Sequence, residues 1–193
     1  WQSKGHLSPE TAEIICISGG MIIEGFTFRC VSFSAESEKE ILTQFLSNPK
    51  SFIHEKDSAS ADKFVVCYNA LGFDIPFLAK RILYNGLELP ARLEISMLKP
   101  WNIYSFIDIK EGLKFGGMDA PSLEMLCTML GVETALDKYK VEASELAGNH
   151  KNKAYNFIKD YNEVDVMALA QCYLKLIRSK EHPNGIQNQL TKI

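Results

Sequence analysis

The sequence predicts an α/β domain, a mixed β-sheet with helices on both faces, over residues 1–180, followed by a polar tail at 181–193. Three features carry this reading. Two adjacent apolar strand patterns open the chain, short apolar runs then alternate with amphipathic helices, and a long stretch near the end carries one apolar stripe. A hairpin followed by strand–helix alternation gives a sheet of mixed direction, because the crossovers run parallel and the hairpin antiparallel.

Taken in order, Glu13 to Gly19 reads as a buried strand and Phe26 to Ser34 as its hairpin partner, with Gly25 in the turn. Ser37 to Leu46 reads as a helix, with Ile41, Leu42, Phe45 and Leu46 at helical spacing and a capping-box start at Ser37. Residues 47–62 are polar and irregular. Lys63 to Asn69 is a third strand, and Ile75 to Tyr84 a helix stopped by Asn85-Gly86. Tyr104 to Ile109 is a fourth strand, and Pro121 to Leu130 a helix ended by Gly131. Lys153 to Arg178 is a long helix whose stripe includes Phe157, Ile158, Tyr161, Val164 and Ala168.

The 193 residues are 46% hydrophobic and 23% charged, which excludes a disordered chain. A net charge of −3 argues against binding nucleic acid through a basic face alone. It leaves room for an enzyme in which bound cations meet the phosphate. Cys16, Cys30, Cys67, Cys127 and Cys172 are scattered and form no Cys-x-x-Cys pair, so they read as reduced core thiols of a cytoplasmic protein. The four histidines form no ligand cluster. No apolar run reaches the roughly 18 residues of a membrane span. Trp1 stands where an initiator Met is absent, so a longer natural chain is expected.

Two constellations carry chemistry. In Asn69-Ala70-Leu71-Gly72-Phe73-Asp74-Ile75-Pro76, a strand ends and a helix begins. The structural reading makes Asp74 an N-cap and Asn69 a loop residue, with Pro76 in the first turn. The functional reading places Asp74 beside a metal at a strand's carboxyl end, with Asn69 orienting it or the substrate. In Tyr161-Asn162-Glu163-Val164-Asp165, Tyr161 and Asp165 are four apart and share a helix face. That face is apolar, so Asp165 needs a hydrogen bond, a partner or a metal. A structural Tyr–Asp brace and a catalytic pair both remain open. Asp108 reads as a brace for the loop at 110–120; Lys80 and Arg81 read as solvated helix-face residues, with contact to phosphate as the alternative, and Trp101 as core, with stacking on a base as the alternative.

Together, Asn-x-x-x-Phe-Asp-x-Pro and a later Tyr-x-x-x-Asp resemble the DEDDy group of 3′–5′ exonucleases. More closely, the chain resembles predicted exonucleases related to the proofreading domain of family-B DNA polymerases. Lys99-Pro100-Trp101, the strand ending at Ile107-Asp108, and Pro121 through Val132 extend the likeness over about residues 8–178. The tyrosine separates this group from relatives with a histidine five residues before the final Asp. The resemblance implies a ribonuclease-H-like, five-stranded sheet of order 3-2-1-4-5. It implies hydrolysis of 3′-terminal phosphodiesters of single-stranded nucleic acid, DNA favoured, to nucleoside monophosphates. Asp74 and Asp165 would ligate two Mg²⁺ or Mn²⁺ ions about 4 Å apart, and Tyr161 would orient the attacking water. Asn69 and Phe73 would contact the substrate.

One departure stands out. The family's Asp-x-Glu, on its central first strand, has no counterpart before Asn69, and the first Asp is Asp57. A sheet without its central strand would leave two edges unpaired. The expectation is a first strand preceding this sequence, roughly 10–25 residues with its loop. The alternative is an inactive exonuclease-fold module that binds nucleic acid or serves as a scaffold.

Overall fold

A computed structural model of the chain describes residues 8–23, 27–49, 51, 53, 65–93, 106–117, 119–140 and 155–177. The chain divides into two compact units, Trp1–Ile15 with Ala35–Phe115, and Cys16–Ser34 with Gly116–Ile193.

The second of these units is built on a hairpin. Strand β1 (Ile17–Ile23) pairs antiparallel with β2 (Thr27–Phe33), in a register running from Ile17↔Phe33 to Ile23↔Thr27. The expected first strand, Glu13 to Gly19, is displaced toward the C-terminus: pairing starts at Ile17 and runs through Gly19 and Gly20. The cause is a close approach that local pattern does not reveal. The buried Phe28 ring lies over Gly20, where an added Cβ would sit 2.0 Å from a ring carbon.

Helix α4 (Leu123–Leu130) starts at Ser122, whose hydroxyl accepts from the Met125 N–H, and stops at Gly131 in the left-handed region at φ 63°. Helix α5 (Ala135–Tyr139) opens on a capping box between Thr134 and Asp137. Helix α6 (Tyr155–Leu176) is the long helix expected from sequence, but it packs on two sides, not along one stripe. Val166, Met167, Ala170 and Leu174 meet Phe28 and Cys30 of the hairpin. Tyr161 and Val164 meet Ala135 of α5. A polar thread pins α6 to the hairpin: the Ser18 and Ser32 hydroxyls are 2.8 Å apart, and Ser32 donates to the buried Glu163 carboxylate at 2.8 Å. The Lys175 ammonium donates to the Leu130 carbonyl at 2.7 Å, tying the end of α4 to α6.

The other unit holds helix α1 (Glu38–Ser47), strand β3 (Val65–Cys67), helix α2 (Asp74–Tyr84), strand β4 (Phe106–Asp108) and the short helix α3 (Ile109–Leu113). Strands β3 and β4 are parallel, with Val65↔Phe106 and Cys67↔Asp108 in register. Ser37 caps α1 as its sequence suggests. The buried faces are Ile41, Leu42 and Phe45 on α1, and Ile75, Leu78 and Ile82 on α2. In the polar stretch at 47–62, Ser51 and Ile53 are buried.

Arg81 corrects its sequence reading: it is not solvated. Its guanidinium forks onto both oxygens of Glu38, with Nε to Oε1 at 2.8 Å, and donates to the Pro9 carbonyl at 2.8 Å. Glu38 also accepts from the Ile14 N–H and the Asn85 amide, each at 2.8 Å. Lys80 stays exposed, 3.5 Å from Glu10. Burial alone would raise the Glu38 carboxyl, but Arg81, the Ile14 N–H and Asn85 outweigh it and hold it below 4.5. A lowered carboxyl stabilises the fold above its unfolded pKa, and that stability is lost as pH falls through the folded value. Glu38→Ala should therefore cost about 2–4 kcal/mol at pH 7, the usual penalty for breaking a buried pair reduced for the partly open Arg81. Urea denaturation should show that gap closing below pH 4.5.

Each described ladder has two strands, and the five-stranded sheet is not among the described residues. All five cysteines are free, and Cys30, Cys67, Cys127 and Cys172 are buried. No described helix is long and apolar enough to cross a membrane.

Candidate active site

Parallel pairing puts the carboxyl ends of β3 and β4 side by side, and one carboxylate organises that edge. Asp108 is 7% exposed. It accepts from the backbone N–H of Asn69 at 2.7 Å, of Leu71 at 3.1 Å and of Lys110 at 3.1 Å. The last contact caps α3, matching the expected brace of the following loop. The first two hold the opposite loop, a role that sequence did not indicate. Asn69 is left-handed at φ 57°, a conformation Asn tolerates. Its carbonyl accepts from the Phe73 N–H at 3.1 Å, closing the turn into α2.

Asp74 stands in the first turn of α2 and is not its N-cap. That position belongs to Phe73, which makes no side-chain cap bond. The residue is open to solvent on one side, yet protein packed against its carboxyl raises the pKa above the ordinary 3.8. Its own backbone N–H opposes the rise, and the Asp108 charge adds to it. Phe73 is 36% exposed, with its ring 5.7 Å from that of Phe77. Asn69, Phe73 and Asp74 are thus gathered at one strand edge.

Tyr161 and Asp165 are gathered in the hairpin unit. One turn apart on α6, they line a cleft of about 340 Å³ with Ser122, Glu124, Cys127 and Thr134. Tyr161 is buried among aromatic rings, 6.0 Å from Tyr139 and 6.4 Å from Phe157 by centroid. The capped start of α5 aims the Ala135 N–H at the Asp165 carboxylate. Burial nevertheless pushes the Asp165 carboxyl up to about 6, against that hydrogen bond and with help from the Glu124 charge.

Sequence reasoning missed Glu124, Ser122 and Thr134 as cleft residues. Ser122 and Thr134 cap helices, and a cap is legible as a helix start without saying what it faces. Trp101 lies outside the described residues.

The donors suit a hard cation. Asp74 in one unit, and Asp165, Glu124, Ser122, Thr134 and Tyr161 in the other, each offer oxygen donors of the kind such a cation takes, and burial raises the Asp74 and Asp165 carboxyls. Asp108 has both oxygens engaged by backbone N–H groups. Among the described residues, no group of three or more His, Cys, Asp or Glu is assembled that could hold a metal ion.

Comparison with known proteins adds one finding. A family model described as a predicted 3′–5′ exonuclease related to the exonuclease domain of PolB matches residues 6–190. No curated protein and no solved structure matches the chain.

Proposed function

Since this chain belongs to the family of predicted 3′–5′ exonucleases related to the exonuclease domain of PolB, we propose that it removes nucleoside monophosphates from the 3′ end of single-stranded nucleic acid, DNA favoured, with Mg²⁺ or Mn²⁺. The observation that supports this most is the cleft that pairs Tyr161 with a desolvated Asp165.

In this reading Asp165 and Asp74 supply carboxylate oxygens to the cations, and Tyr161 holds the attacking water at its phenol oxygen. Phe73 offers an exposed ring face to a terminal base, and Asn69 a polar side chain beside it. Bound divalent cations supply Lewis acidity at the phosphate and lower the pKa of a water. The same reading carries with it the family's five-stranded sheet of order 3-2-1-4-5.

The test is incubation of the full-length protein with Mg²⁺ and a single-stranded oligonucleotide. Stepwise shortening from the 3′ end is expected, stopped by EDTA and restored by Mn²⁺. An intact oligonucleotide would overturn the proposal. Binding without shortening would favour the inactive module.

A further inference from the structure

In the hairpin unit two thiols touch. Cys127 on α4 and Cys172 on α6 are both 0% exposed, and their sulfurs are 3.4 Å apart. A covalent S–S bond is about 2.05 Å long, so about 1.4 Å separates contact from bonding. Forming a disulfide between helices first requires bringing the two sulfurs together, and the packing of α4 on α6 has already put them in contact. The Lys175 ammonium, three residues beyond Cys172, holds the Leu130 carbonyl at the end of α4 and keeps the helices in register. Cys127 also forms part of the wall of the cleft shared by Tyr161 and Asp165.

We infer that Cys127 and Cys172 are a peroxide-reactive dithiol, closing to a disulfide that pins α4 to α6 along the cleft wall. One thiol sulfur attacks a peroxide oxygen, the O–O bond breaks, and a sulfenic acid and one water form. The second thiol then attacks the sulfenic sulfur, forming the S–S bond and releasing a second water. Two thiols are oxidised to one disulfide, and one hydrogen peroxide is reduced to two waters. This inference does not rest on the nuclease reading and can stand if that reading fails.

The disulfide would close a loop between positions 45 residues apart, which restricts the unfolded chain. The test uses the folded, fully reduced full-length protein. It is treated with hydrogen peroxide, blocked with an alkylating agent and mapped by peptide mass spectrometry. The expected result is a cross-linked peptide joining Cys127 to Cys172, lost on dithiothreitol treatment, with the thermal midpoint raised by about 5–15 °C. In a Cys172→Ala variant the cross-link should disappear. If that variant does not fold, the wild-type peptide map decides alone. The inference is overturned if the folded protein keeps both thiols, if the cross-link forms only in denaturant, or if peroxide joins Cys16, Cys30 or Cys67 instead.

Discussion

Asp165→Ala is expected to slow 3′ shortening by about 10³-fold or more. In its proposed role as a cation ligand, its loss forfeits several kcal/mol of charge stabilisation, and each 1.36 kcal/mol is a factor of ten in rate. The same position makes an opposite prediction for stability. Burial holds the folded Asp165 carboxyl near 6, above its ordinary 3.8. A raised carboxyl favours the protonated folded state, so its charge weakens the metal-free fold fully above pH 6, and that penalty shrinks as pH falls from 6 to 3.8 and is gone below it. A shift of about two units corresponds to about 3 kcal/mol, reduced to about 1–2 kcal/mol because the residue is partly open to solvent. Asp165→Asn keeps an acceptor for the Ala135 N–H and carries no charge. It should therefore be more stable than wild type at pH 8 without metal, by that amount, and gain little below pH 4. Thermal melts at both pH values with EDTA present decide this. A less stable Asn variant at pH 8 would mean that the Asp165 charge is already compensated within the fold.

Asp108→Ala should destabilise the protein by about 3–5 kcal/mol. Three backbone N–H groups, on Asn69, Leu71 and Lys110, lose their acceptor together. Each buried donor left unpaired costs about 1–3 kcal/mol, with partial rescue by water at this partly buried edge. Asp108→Asn retains one acceptor oxygen and should fall between, at about 1–2 kcal/mol. Urea denaturation of the three proteins gives the ranking. An Ala variant as stable as wild type would show that the turn at Asn69–Phe73 holds without this brace. Because that turn sets Asp74 and Phe73 at the start of α2, the Ala variant should also lose the proposed nuclease activity in proportion to the disordering of the turn.

The order of these residues separates what is local from what is not. Ser37 and Gly131 mark helix ends in the sequence, and the structure uses each as such, because a cap bonds to backbone within about four residues. The two five-residue helices α3 and α5 escaped notice, since one turn is too short for apolar periodicity to register. The boundaries of β1 were misplaced because Gly20 looks like a breaker until the Phe28 ring is seen covering it.

The sequence alone determined the family, the mixed α/β character and the pairing of Tyr161 with Asp165 on one helix face, because motif spacing and helical periodicity are local properties. Only tertiary structure decided what those residues meet. Asp108 reaches Asn69 across 39 residues, Arg81 reaches Glu38 across 43, and Cys127 meets Cys172 across 45. No propensity records such contacts, since each depends on two distant segments reaching one place at the same depth. Burial, which raises the Asp165 carboxyl, is likewise a property of the packed cleft around it.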